Sequence, residues 1–193
     1  MEVLPVTEHP QPQTQQRNQI QPQVEKQKDS LYMKCMLEMF VLLLPSQIGA
    51  NGKTKENLRE SIEYYIGGKC TVEGYVKPNS IQLVKYTNGT AKLDKIEFLV
   101  VFECLVCNPV EGMWLNDCKV KSVTKAGIHA NKHDEQNNLP VTVFIIRDHF
   151  VDNPRFLKIK EDDIIDVKVL GQRFELNNQC IEVIGEIVGD KSN

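Results

Sequence analysis

The chain lacks a long apolar run. Its longest, Met39 to Leu44, is six residues, and a helix needs about 20 to cross a bilayer, so no helical membrane span is expected. Nor does a basic stretch followed by an apolar core stand near the N-terminus, so a secretory signal is not expected. Charge of one sign is scarce: the net is −3 over 193 residues. That excludes a polycation, and any nucleic-acid contact must come from a local patch. There is no Walker loop, no Gly-rich dinucleotide turn, and no Ser, His and Asp set in recognisable surroundings. The chain is therefore expected to catalyse nothing by itself and to need no cofactor.

What is present suits a soluble, folded protein. Hydrophobic residues make up 41% and charged residues 25%, and a chain of this length buries a real core in one or two domains. Six cysteines without a secretory signal read as reduced thiols packed as small hydrophobes. The expected compartment is intracellular, nucleus or cytoplasm.

Residues 1–30 hold eight glutamines and four of the nine prolines. Such a segment buries too little to offset its ordering entropy and is predicted to be a disordered leader. From Leu31 the pattern changes. Met33 to Leu44 predicts a long, mostly buried strand ended by Pro45. Thr54 predicts an N-cap, and Leu58, Ile62, Tyr65 and Ile66 fall at helical spacing before Gly67-Gly68 stops the helix. Strands are then predicted at Cys70–Val76, Ile81–Tyr86 and Lys95–Val106, with Asn88-Gly89 as the hairpin turn between the last two. The expected fold is α+β, with one amphipathic helix laid on an antiparallel sheet over residues 31–107.

The stretch Phe98–Phe150 joins this unit to a second. After the Pro109-Val110-Glu111-Gly112 break, strands are predicted at Met113–Lys125, Gly127–His133, Val141–Arg147, Ile164–Leu170 and Cys180–Ile187. Five short strands with a long connection after the third match a five-stranded OB-type barrel over residues 108–193. Gly127 falls where a barrel strand must bend, and Gly185 where backbones pack closely.

The order of several strings resembles a known family. Gly68-Lys69-Cys70-Thr71 precedes Gly74-Tyr75; then follow Thr87-Asn88-Gly89-Thr90-Ala91, Phe98–Phe102, Pro109–Gly112 and Lys125-Ala126-Gly127. Ile164–Val169 and Ile181–Ile187 close the series. From Met33 to Ile187 the chain resembles the stalk subunit of multisubunit DNA-directed RNA polymerases, the seventh subunit of eukaryotic polymerase II and its archaeal counterpart. The glutamine-rich leader and an insert at Asn131–Leu139 depart from the cellular pattern. A divergent copy, such as one from a large DNA virus, would look like this and would belong in a virion or viral factory. The resemblance implies a non-catalytic wedge. Its tip domain docks on the polymerase core, beside the largest subunit and clamp, through Thr87, Asn88, Gly89, Thr90 and Ala91. Its barrel contacts emerging single-stranded RNA, and a small helical fourth-subunit-like partner often accompanies it.

Within the barrel, Lys119, Lys121, Lys125 and Lys132, with His129, form a stretch free of carboxylates between Asp117 and Asp134. Alternation puts Lys119, Lys121 and Lys125 on one strand face. Phe144, Arg147 and His149 on the third strand are the nearest stacking platform for bases. Two readings stay open, a solvated lysine face and a weak, sequence-blind RNA contact. Cys104 and Cys107 form a CxxC, and His129 and His133 would complete a zinc set on paper. The gap of 21 residues from Cys107 to His129 exceeds the zinc-finger spacing of about 12–15, and positions i and i+3 of a strand face opposite sides. Buried thiols are therefore expected rather than a metal. Trp114, the sole tryptophan, is read as core at the joint or as a partner surface. A free RNA-binding protein of the translation-factor kind, or a zinc or thiol protein around Cys104 and Cys107, are the rival functions.

Overall fold

A computed structural model describes residues 31–49, 53–147 and 156–188. The predicted leader, residues 1–30, lies outside them. The described residues form one α-helix, two β-sheets and two short 3-10 turns at Pro45–Gln47 and Phe156–Lys158. The first sheet has six strands: β1 (Met33–Leu43), β2 (Cys70–Thr71), β3 (Gly74–Val76), β4 (Gln82–Tyr86), β5 (Thr90–Lys92) and β6 (Lys95–Cys107). Its order is β1-β6-β3-β2, with β4 and β5 also paired to β6. The long β6 is the spine, an 11-residue antiparallel ladder with β1 on one side and the short strands on the other.

Helix α1 (Lys53–Ile66) turns Leu58 and Ile62 into this sheet, where they meet Val41, Leu43, Val100 and Phe102 in one buried cluster. The helix ends where Gly68 takes a left-handed φ of 70°, a conformation glycine adopts without steric cost. Several expectations need correction. Thr54 lies inside the helix rather than capping it, and its hydroxyl exchanges hydrogen bonds with the Gly49 backbone. Tyr65 is exposed; the inward stripe of α1 consists of Thr54, Leu58 and Ile62, one residue per turn. The strand predicted at Cys70–Val76 is a hairpin of two short strands.

The strand predicted as mostly buried, β1, is buried on one face only. Met36 and Phe40 are 61% and 64% exposed, and Leu42 is also exposed. Continuous apolar character cannot tell a strand covered on both faces from one that leaves a face open.

The second sheet closes into a barrel of five strands: β7 (Trp114–Val123), β8 (Gly127–Lys132), β9 (Val141–Ile146), β10 (Ile164–Arg173) and β11 (Ile181–Ile187). The closed order is β10-β11-β9-β8-β7, with β9 and β11 parallel and the other pairs antiparallel. Alternate residues point inward, so Leu115, Val120, Ile128, Val143, Ile145, Val167 and Val183 fill the interior. Cys70, Tyr75 and Cys107 of the first sheet pack into this same cluster, and the two halves share an apolar seam.

Gly127 opens β8 hard against β9. A Cβ there would overlap the Ile145 carbonyl oxygen, and one at Gly185 would overlap the Val167 side chain. Because the Gly127 obstacle is backbone, Gly127→Ala is expected to cost about 1–3 kcal/mol, measured as a lower urea midpoint with unchanged slope.

Candidate nucleic-acid interface

The barrel wall made by β8, β9, β11 and β10 carries an outward groove of about 560 Å³. His129 and Phe144 are direct cross-strand partners, and their rings meet edge to face with centroids 4.6 Å apart. Thr142, Ile184, Gln172, Arg173 and Glu182 complete the groove. Of the residues singled out from the sequence, His129 and Phe144 are brought together here; Gln172, Arg173, Glu182 and Ile184 were missed. The signal that finds them is strand register across three separated segments, which local alternation does not contain.

The other predicted contacts are dispersed. Lys119 is exposed and its ammonium lies 2.8 Å from Asp162. Lys121 is exposed like Lys119, with Val120 buried between them, and the ladder to β8 shifts register just there, between Val120 and Ser122. Lys125 lies beyond the end of β7, in the turn leading to Gly127. Of the three lysines expected on one strand face, β7 carries Lys119 and Lys121, and Lys125 lies past its end. The Lys132 ammonium turns to the Asn116 carbonyl, away from the groove, into a second cavity. Arg147 holds its guanidinium 5.5 Å from the Phe156 ring. His149 lies outside the described residues.

That second cavity, about 530 Å³, lies at the seam of the two halves. Trp114 is half-buried in its wall, with Tyr32, Lys77 and Asp134 beside it. The Asp134 carboxylate accepts hydrogen bonds from the Tyr32 hydroxyl at 3.0 Å, from the Gln136 and Asn138 backbone N–H groups, and from the Asn138 amide. Lys77 stands 3.9 Å from it. Burial pushes this carboxyl up, but the hydrogen bonds from Asn138, Tyr32 and Gln136 outweigh that and hold it below its ordinary value.

The loop Thr87–Ala91 is exposed along its length. Thr87 is tied to Leu99 by its backbone N–H and by its hydroxyl, both at 3.0 Å. Thr90 and Ala91 pair with Glu97 and Ile96. Asn88-Gly89 is not the hairpin turn predicted for it; the chain reverses at Leu93-Asp94 instead, where Leu93 is fully exposed with a φ of 56°. Gly89 serves a close approach, since a Cβ there would collide with Ile96 and Phe98.

The CxxC thiols part company. Cys104 packs into the first cluster, and Cys107 into the barrel cluster. Burial pushes the Cys104 thiol up to about 11 and the Cys107 thiol up to about 12. Such thiols stay protonated at neutral pH and are poor nucleophiles.

No protein-family model matches the chain. A protein of Acanthamoeba polyphaga mimivirus that carries the provisional name of a DNA-directed RNA polymerase subunit is 28% identical over 184 residues, covering 86% of each chain. A match of that extent reaches into both sheets.

Proposed function

We propose that this chain is a non-catalytic, stalk-like subunit of a multisubunit DNA-directed RNA polymerase, made of a docking domain (31–107) and an RNA-contacting barrel (108–193). The observation that carries the reading is the similarity to the mimivirus protein over 86% of each chain, together with a helix-backed sheet leading into a closed five-stranded barrel. Its partners are the polymerase core, at the largest subunit and clamp, with a fourth-subunit-like helical chain as a further candidate. It works inside the cell or viral factory.

The exposed apolar face of β1 supports a life in complex. Met36, Phe40 and Leu42 lie in one outward row along an edge strand, a row that also holds the charged Lys34 and Glu38, and exposed large apolar groups on an edge strand favour a partner that covers them. The docking loop Thr87–Ala91 continues to Leu93, a non-glycine residue held in the left-handed region with its side chain fully in solvent. Local strain of this kind persists at recognition sites. The RNA contact centres on the His129–Phe144 groove, with Lys119, Lys121 and Lys125 adding a sequence-blind, salt-sensitive pull on phosphates.

Purification of the tagged chain from native extract tests the assignment. Recovery with the two largest polymerase chains is the expected result, and recovery with ribosomal proteins instead would overturn it. A Leu93→Asp variant is expected to weaken recovery of those chains at least about tenfold, as for loss of an apolar anchor, while its melting temperature and RNA affinity stay unchanged.

A further inference from the structure

We infer that the barrel groove selects an unpaired base carrying an exocyclic amine, and discriminates against uracil, through Glu182 beside the His129–Phe144 platform. The inference rests on the barrel's contact with RNA proposed above.

Strand register lays out two parallel rows across the groove. In the first, His129 is opposite Phe144, Phe144 opposite Ile184, and Ile184 opposite Gly171. This row is aromatic and aliphatic, and Gly171 leaves its far end open, since an added Cβ there would meet nothing within 4 Å. In the second row, Thr142 is opposite Glu182 and Glu182 opposite Arg173. The rows lie two residues apart on every strand, which is about 7 Å along the chain.

That separation fits a base. A ring stacked on Phe144, flanked by His129 and Ile184, points one edge across to Thr142 and Glu182. An ionised carboxylate only accepts hydrogen bonds. Cytosine, adenine and guanine offer it an amine; the same edge of uracil offers two carbonyl oxygens around a single N–H, and these repel a carboxylate. Arg173 stands next to Glu182 on the exposed rim and, among the described residues, forms a surface pair with Glu175 at 3.2 Å. Such a pair is weak enough to give way, so the guanidinium is available to the phosphate that follows the base. The lysines pull on any strand; the two rows add a preference.

The test uses the full-length chain and two fluorescein-labelled RNAs of about eight nucleotides, oligo(C) and oligo(U), matched in ring size and backbone. At low salt, wild type is expected to bind oligo(C) about tenfold more tightly than oligo(U). Glu182→Gln should remove that difference, because an amide both donates and accepts, and Phe144→Ala should weaken both RNAs about tenfold. An unchanged melting temperature for the exposed Glu182→Gln and a single cooperative melt for the half-buried Phe144→Ala verify the fold. Equal binding of the two RNAs by wild type, or a preference that survives Glu182→Gln, would overturn the selection and leave the barrel's RNA contact standing. Binding untouched by Phe144→Ala would move RNA off this groove and overturn the inference. No binding of either RNA would overturn the RNA contact itself.

Discussion

An Ile62→Asp variant is expected to lose the first sheet while the barrel strands keep most of their amide protection. Ile62 is fully buried, and so is Leu58 one turn before it. Together they are the part of α1 that seals Val41, Leu43, Val100 and Phe102 from water. Removing the isoleucine forfeits about 1.5–3 kcal/mol of apolar burial, and a carboxylate with no counter-charge in that cluster adds several more. The sum exceeds about 4 kcal/mol, against a total stability of about 5–15 kcal/mol for a typical domain. Ile62→Val supplies the scale, since it removes one methylene and should cost about 0.5–1.5 kcal/mol. Hydrogen exchange read by mass spectrometry separates the possibilities. Loss confined to β1, α1 and β6 fits two units that fold with partial independence. Equal loss in β8, β9 and β11 would mean that Cys70, Tyr75 and Cys107 weld both halves into one cooperative core, and the division into domains would fall.

The barrel was the most legible part of the sequence. Strands such as Val141–Ile146 place a small or branched apolar residue at each inward position, and that period of two survives in the sequence whatever the neighbours are. The elements misread were those fixed by distant context. Nothing local to Met33–Leu43 says that only one face is covered. Where β7 stops depends on how it pairs with β8, so of three lysines in register in the sequence only Lys119 and Lys121 share a strand face, and Lys125 falls past Val123. The reversal at Leu93-Asp94 wins over Asn88-Gly89 because Thr87 is already committed to Leu99 on β6, which carries the chain past the expected turn before it can close. The groove was half visible: His129 and Phe144 were found as chemistry, whereas Arg173 and Glu182 reach them only through the parallel β9–β11 ladder. The insert Asn131–Leu139, read as a departure from the cellular pattern, turns out to carry Asp134, whose partners Lys77 and Tyr32 lie far back in the chain.

Asp134→Ala is the second large expected effect, at about 3–5 kcal/mol. The carboxylate side chain is 4% exposed and Lys77, its nearest cation, 16% exposed, so removing one charge leaves the other half-desolvated with its counter-charge gone. The turn Asp134–Asn138 also loses the acceptor that collects the Gln136 and Asn138 N–H groups. These contacts run from the barrel's loop to the start of β1 and the end of β3, so the variant should also protect the seam residues Leu105 and Met113 less well from exchange. Asp134→Asn keeps an acceptor and discards the charge, and it should recover part of the loss. The pH dependence separates charge from shape. Because the folded carboxyl titrates below its unfolded value of about 3.9, its contribution is fully present above that value and is lost as pH falls through the lower folded one. The gap in urea midpoint between wild type and Asp134→Asn should therefore be widest near neutrality and should shrink below about pH 4. A gap that stays constant to pH 3 would mean that hydrogen-bond geometry, and not charge, holds the two halves together at this point.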